Sequence, residues 1–559
     1  MKRLLDRHIP LIGQLRGYDA SALRTDGVAG LTTAIMLIPQ AMAYAMLAGL
    51  DPIIGLYAST VPLAVYGLLG TSRQLAVGPV AMVSLLVASG VGAIAGSDPA
   101  LYTALAATLA LMVGLLQWGM GLVRVGFLVT FLSHPVIAGF TSAAALIIGL
   151  SQLEHVLGVP LERSHHVHEI VLQAIEHAGQ TNPLTFGIAV ASMVLLIGLK
   201  RFVPNVPRFL VVVVGGTLAV WGLDLNGAGV ATVGAVPGGL PAPSLPLLDP
   251  GAIRDLLPIA VTIALVGFME SISVAKNFAR ANRYEVDADQ ELKALGLANV
   301  AGSVFGAYPI TGGFSRTAVN AQAGARTGLA SLITAAVVTV TLLFFTPLFH
   351  FLPKAVLAAI IMTAVIGLID IVEAKHLWKV SRADFGLMAL TFVGTLTLGI
   401  EQGIVLGVLG SLAWFVWQTS RPHVAILGRL PGSTVYRSVD RYPEATTQPD
   451  VVAMRIDAPL FFANTAFLKK VVMRSVGPDV RHLIIDCKAI SSVDAQALST
   501  IEEIVDELKT RQVEIWLAGV RGPVRDAFEA AHLELPESHR VERVYEAARA
   551  LRRGPVLAA

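Results

Sequence analysis

The sequence predicts an α-helical polytopic membrane protein, with fourteen transmembrane segments in two inverted seven-segment repeats followed by a small α/β domain. Three observations carry this expectation. Of 559 residues, 54% are hydrophobic and only 14% charged, against roughly a quarter charged in an ordinary soluble protein. The deficit is confined to residues 27–419, where long apolar runs follow one another, and beyond Arg421 the charge density returns to that of a soluble domain. Lys and Arg, finally, fall almost wholly on alternate loops.

Taken in order, residues 1–24 form a polar, basic cytosolic segment. No apolar core followed by a small-residue cleavage site is seen there, so no cleaved signal peptide is expected. A spanning helix needs about 20 apolar residues, fewer where helices are broken. Candidate spans lie near 27–47, 54–70, 77–90, 101–120, 126–151, 183–199 and 208–222, and then near 256–279, 290–306, 314–323, 328–346, 353–371, 383–398 and 402–419. The transmembrane domain is thus expected at 25–420, with repeats at about 25–225 and 250–420. Residues 421–449 read as a linker and a first strand, and 450–553 as the soluble domain.

With the N-terminus inside, the cytosolic loops collect Arg3, Arg7, Arg73, Arg124, Lys200, Arg201, Arg280, Lys293 and Arg326 among others, and the opposite loops only Arg163, Arg254 and Lys354. Positive charge marks the cytoplasmic side. A multi-pass bacterial inner (cell) membrane protein is expected, its N-terminus and soluble domain cytoplasmic.

The even split suggests duplication. Phe131-Leu-Ser-His-Pro-Val-Ile-Ala is echoed by Phe351-Leu-Pro-Lys-Ala-Val-Leu-Ala, and Ala34-Ile-Met-Leu-Ile-Pro-Gln40 more faintly by Ala264-Leu-Val-Gly-Phe-Met-Glu270. The segments beginning near 77 and 314 are both too short to span alone, and follow Gln74-Leu-Ala-Val-Gly-Pro and Tyr308-Pro-Ile-Thr-Gly-Gly. Interrupted segments at equivalent places in inverted repeats point to a transport site.

A helix N-terminus carries unpaired N–H groups and a partial positive charge. Two such ends meeting near the midplane, after Gly78-Pro79 and Gly312-Gly313, would favour a small anion. Arg316, about one turn into the short tenth span, is an intramembrane charge and so a functional candidate; Ser315 beside it supplies a hydroxyl. Glu270 reads either as a proton-titrating coupling group or as the counter-ion of Arg316. Gln40 could donate to an anion, and Tyr44 could wall the site or offer its hydroxyl.

Other features exclude function classes. No basic stripe with interleaved aromatics suggests nucleic acid. No Walker motif and no nucleophile–base arrangement is seen, so no enzyme, no pump and no cofactor is expected. His165, His166 and His168, with His155 nearby, read as a solvated loop rather than a metal site. Cys487 is the single cysteine, which rules out an intramolecular disulfide framework, and it lies in a strand-like run expected to be buried.

These residues resemble the sulfate permease family of anion transporters. The likeness runs through Pro52-Ile-Ile-Gly-Leu-Tyr-Ala-Ser, Ala64-Val-Tyr, Gly70-Thr-Ser-Arg73, Pro39-Gln-Ala-Met-Ala-Tyr-Ala, Gln74-Leu-Ala-Val-Gly-Pro, Gly267-Phe-Met-Glu-Ser-Ile-Ser-Val-Ala-Lys and Phe314-Ser-Arg. Ile54 departs from it, an aromatic being common there. The resemblance implies a core domain (spans one to four and eight to eleven), a gate domain and elevator-like alternating access, commonly in a homodimer. It places the anion pocket on Gln40, Tyr44, Val80, Ser315 and Arg316, with Gly313 and Phe314 alongside, and the coupling carboxylate on Glu270. Some relatives bind sodium; Glu270 with Val274 in place of a Thr makes a proton the expected coupling ion here, with sodium as the alternative. The remaining partners expected are a sulfate, bicarbonate or small dicarboxylate (such as fumarate) anion and the lipid bilayer.

The soluble domain resembles the STAS module, through the strands Val451–Ile456, Leu483–Asp486 and Val513–Ala518, a helix opened by Asp494 through about Lys509, and a helix at Pro523–Ala531. Signalling relatives carry a phosphorylatable Ser after the loop aspartate, where this chain has Ala495. A supporting role in assembly and trafficking is therefore expected of the domain, rather than a kinase switch. Proton-coupled symport is the expected activity. The alternatives are an anion exchanger or channel-like conductor of the same family, a nucleobase permease and a STAS-based membrane signalling protein.

Overall fold

The computed structural model describes residues 9–96, 98–126, 133–161, 167–203, 206–531, 533 and 537–553. Phe131 and Leu132 of the first echo, His165 and His166, and Arg3, Arg7 and Arg163 lie outside them. The chain divides into two units, Met1–Leu409 and Gly410–Ala559. Among the described residues 8 helices are long and apolar enough to cross a membrane, and shorter apolar helices accompany them.

The first long helix is α1 (Ala20–Leu47). Its second span is not one helix but two, α2 (Pro52–Tyr57) and α3 (Val61–Leu69). The break has a local cause. The Ser59 and Thr60 hydroxyls donate back to the Gly55 and Tyr57 carbonyls at 2.8 and 2.7 Å, and Pro62 restarts the helix. A two-residue strand β1 (Val77–Gly78) then precedes the short α4 (Ala81–Ala95), followed by α5 (Pro99–Leu122), α6 (His134–Ser151), α7 (Pro183–Phe202) and α8 (Arg208–Gly222). The second half runs α9 (Pro250–Ala281), α10 (Ala288–Val304), strand β2 (Thr311–Gly312), α11 (Phe314–Gln322), α12 (Leu329–Phe344), α13 (Lys354–Val365), α14 (Arg382–Leu398) and α15 (Ile400–Ser420).

Side-chain caps set most of the long helix starts. Asp19, Asp98, Asn182, Asp249 and Asp287 each accept backbone N–H groups at the openings of α1, α5, α7, α9 and α10, satisfying donors that a helix cannot satisfy itself. The two halves are tied by buried carboxylates. Glu291 of α10 is fully buried and accepts from the Tyr66 hydroxyl at 2.8 Å, the Thr71 N–H and hydroxyl at 2.6 Å each, and the Ser72 N–H at 3.0 Å. Asp26 of α1, equally buried, accepts from Tyr18 and from the Arg326 and Thr327 backbone just before α12. Neither carboxylate was expected to play this part.

The second unit carries a six-stranded sheet, order β4-β3-β5-β6-β7-β8, formed by β3 (Val424–Arg429), β4 (Tyr436–Ser438), β5 (Val451–Ile456), β6 (His482–Asp486), β7 (Glu514–Ala518) and β8 (Arg540–Val541). Strands β5 to β8 are parallel, and β3 is antiparallel to both neighbours. Alternation along the strands sends one set of residues to each face. Met454, Ile456, Leu483 and Ile515 pack with α16 (Thr465–Ser475), α17 (Ala495–Thr510) and α18 (Gly522–Ala530), while Ala453, Ile484 and Trp516 pack with α19 (Val544–Arg553). Asp494 caps α17 by accepting the Ala497 N–H at 2.8 Å. Cys487 follows β6 and is buried, which pushes its thiol up to about 12 and leaves it an inert core residue.

Candidate functional site

The two interrupted segments, one from each half of the chain, meet in a two-stranded antiparallel ladder. Val77 lies opposite Gly312 and Gly78 opposite Thr311, and the Gly313 N–H donates to the Ala76 carbonyl at 3.1 Å. Gly78 adopts φ +154°, a conformation open in practice to glycine alone. Helices α4 and α11 leave this ladder from its opposite ends, so their N-termini face one another. In contrast to the capped helices above, neither Val80 nor Gly313 caps its helix with a side chain. Two sets of first-turn N–H groups, with the positive ends of two helix dipoles, converge on one buried place.

Three hydroxyls and amides hold the ladder. The Gly312 N–H donates to Ser271 Oγ at 2.8 Å, Ser271 shares a hydrogen bond of 2.6 Å with Thr311, and Thr311 donates to the Gly267 carbonyl. Asn299 pairs with Ile310 as a strand would, its amide oxygen accepting the N–H at 2.8 Å and its nitrogen donating to the carbonyl at 3.1 Å. Thr317 accepts the Ala76 N–H at 3.0 Å. Ser271→Ala removes the acceptor of a buried backbone donor, a loss of about 1–3 kcal/mol. The expected result is earlier thermal unfolding together with weaker anion binding, since β2 is released. Unchanged melting and unchanged affinity would contradict this support role.

Among the described residues Arg316 is the largest fully buried side chain, 1% exposed. One terminal nitrogen donates to the Pro79 carbonyl, across the ladder from its own helix. Among the described residues its Nε and other terminal nitrogen have no hydrogen-bond partner. A Cβ on Gly313 would lie 3.0 Å from that free nitrogen, so the guanidinium fills the space that this glycine leaves open. Tyr44, Glu270 and Tyr308 are the titratable groups acting on Arg316, but among the described residues no ion pair joins it to Glu270. Gln40, 1% exposed, has neither amide atom satisfied among the described residues. It follows Pro39, an in-helix proline that deprives the preceding turn of a backbone bond. Glu270 is half-buried, with Oε2 unpartnered.

The structure therefore sets Arg316 and Val80 against Gly313 and Tyr44 within electrostatic reach of Arg316, all of them buried, as Gln40 is. Phe314 and Ser315 are exposed; Phe314 is 54% exposed and rests against Phe278, ring centroids 6.1 Å apart. Ser271, Asn299, Thr311 and Tyr308, whose hydroxyl meets Ser84 at 3.0 Å, complete the site and were not anticipated. Their only sequence signal is polarity within otherwise apolar segments.

The profile of the sulfate permease family matches residues 23–391, and that of the STAS domain residues 442–546. The chain is 41% identical over 562 residues to the chloroplastic sulfate transporter 4.1 of Arabidopsis thaliana, covering 97% of this chain and 80% of that one. Among solved structures it is similar to the murine Solute Carrier 26 family member A9 anion transporter in the inward-facing state. The TM-score is 0.90 at 25% identity, over 98% of this chain and 94% of the other. The transmembrane domain of a cyanobacterium bicarbonate transporter, BicA, is matched with a TM-score of 0.61 at 25% identity, over 70% of this chain and 98% of that domain.

Proposed function

The chain belongs to the sulfate permease family, and from that premise we propose that it is a secondary active transporter of a small anion, working as a proton-coupled symporter. One observation carries the anion: two uncapped helix N-termini meet beside a buried arginine with two unpartnered nitrogens. Such a place is electropositive before any ligand arrives, and desolvation makes each of its donors count for more than in water. Gln40 and the Arg316 fork are the side-chain donors. The N–H groups of Phe314 and Ser315 contribute from the first turn of α11, although their side chains point elsewhere. Val80 and Tyr44 supply the apolar wall. Glu270, within one helical turn of Gly267 and Ser271 which hold β2, is the proton site, with sodium the alternative coupling ion.

The remaining features form one scheme. Fourteen spans lie in two inverted repeats, a core domain moves against a gate domain in an elevator-like cycle, and the unit is a homodimer. The N-terminus and the STAS domain are cytoplasmic, at the inner membrane of a bacterium, and the STAS domain supports assembly. Relatives described as sulfate and bicarbonate transporters make sulfate and bicarbonate the first substrates to test, with a small dicarboxylate next.

The test is uptake of labelled sulfate, bicarbonate, fumarate and uracil into proteoliposomes, with and without an inward proton gradient. One of the anions is expected to accumulate above its equilibrium level only with the gradient. Accumulation of uracil alone would favour a nucleobase permease instead, and gradient-independent equilibration would favour a conductor or exchanger.

A further inference from the structure

A second concentration of positive charge lies in the STAS unit, and transport makes no use of it. By strand alternation, residues 423, 425 and 427 and residues 451, 453, 455 and 457 share one face of the sheet. Ala425, Leu427, Val451 and Ala453 are buried with Ala547 and Ala548 of α19. Past the helix the same face continues as His423, Arg455 and Asp457. With Arg437, Ser438, Arg441 and Tyr442 these line a cavity of about 380 Å³.

The charges in this cavity do not cancel. Arg455 grips Asp457 through two bonds of 2.6 and 3.0 Å, and His423 Nδ1 adds a contact of 2.9 Å. The guanidinium beside it holds the Asp457 carboxyl below the usual carboxylate range, so this one anion is already committed. Arg437 and Arg441 have no ion pair among the described residues; Arg437 only lies over the Tyr442 ring, 5.8 Å from its centroid. Asp457 in the lining and Asp486 beside it both act on Arg455, which leaves Arg437 and Arg441 as the two uncommitted cations, in a concave place that also offers the Ser438 and Tyr442 hydroxyls.

We propose that this cavity binds a doubly charged tetrahedral oxyanion: phosphate, sulfate or a phosphate monoester. Two planar guanidinium forks suit such a group better than point charges would. The volume lies at the small end of ligand pockets, roomier than a bare oxyanion and able to hold one that carries a small substituent. The same chemistry has two sources. One is a free anion in solution. The other is a lipid headgroup, because His423 follows closely on the end of α15 at Ser420, a helix apolar enough to cross a bilayer over Gln402–Ser420.

The experiment uses the full-length protein in nanodiscs, titrated with inorganic phosphate, and compares wild type with Arg437→Ala/Arg441→Ala. Subtracting one isotherm from the other removes any phosphate bound at the transport site. In phosphatidylcholine discs the double variant is expected to lose a saturable phase, its affinity falling tenfold or more, with unchanged thermal unfolding. If discs containing phosphatidate abolish that phase in wild type, the occupant is a headgroup; if they leave it intact, it is a free oxyanion. Should the double variant unfold early, Arg441→Gln alone serves, with the same loss expected. Superimposable isotherms for wild type and a folded variant would overturn the proposal.

Discussion

Replacing Arg316 by alanine is expected to weaken anion binding by roughly 100-fold, about 3 kcal/mol, the upper range for a hydrogen bond to a charged group. The guanidinium is buried, anchored at one nitrogen to the Pro79 carbonyl and free at two positions. Those free donors stand where the first turns of α4 and α11 converge. Truncation removes both them and the guanidinium charge of the site, leaving the helix ends and Gln40 to hold the anion. Arg316→Lys keeps a point charge without the fork, so it should recover part of the loss, about tenfold. It also guards against misfolding as the cause, because it preserves the buried cation. Isothermal titration of sulfate or bicarbonate against each variant reads the difference. An alanine variant with wild-type affinity would move the site elsewhere.

Glu270→Gln is expected to abolish accumulation driven by a proton gradient while leaving anion binding within a few-fold of wild type. Glu270 Oε2 is buried and unpartnered, and the carboxylate is among the groups that act electrostatically on Arg316. Its charge state therefore alters the field at Arg316 directly. Glutamine has the shape of the protonated acid but carries no proton to release. The loaded conformation remains available, so exchange of labelled for unlabelled anion should persist. Coupling should disappear, with uptake stopping at the level that the anion gradient sets. Gradient-driven accumulation that survives in this variant would rule out Glu270 as the coupling group.

Much of the membrane fold is legible because the bilayer imposes local demands: an apolar run of known length, and polar caps at its ends. The expected span at 208–222 coincides with α8, and 101–120 lies within Pro99–Leu122. The failures have physical causes. The first helix is expected from 27 and begins at Ala20, because Arg24, Thr25 and Asp26 do not read as membrane residues. Asp26 is buried there beside Tyr18 and with partners about 300 residues away. The run at 54–70 reads as one span, and the hydroxyls that break it, Ser59 and Thr60, look like ordinary small polar residues.

The site divides along the same line. Gly78, Gly313 and Arg316 announce themselves, since glycine-rich interruptions and a lone arginine are rare in apolar sequence. Ser271, Thr311 and Asn299 do not, because each acts on backbone from another element. Ser315, expected to offer its hydroxyl, is exposed, a consequence of the direction in which α11 leaves the ladder and one that sequence spacing cannot fix. In the soluble unit, α19 shows only a short apolar face of Val544, Ala547, Ala548 and Leu551, which gains meaning once the sheet beneath it is present.

The central claim is that an anion sits between the two uncapped helix starts. Its most direct test is an experimental structure of the protein saturated with selenate, a heavier analogue of sulfate. Density is expected at hydrogen-bonding distance, about 3 Å, from the first-turn N–H groups of α4 and α11 and from the free nitrogens of Arg316. Selenate bound only elsewhere, with this place left to the side chains alone, would contradict the claim.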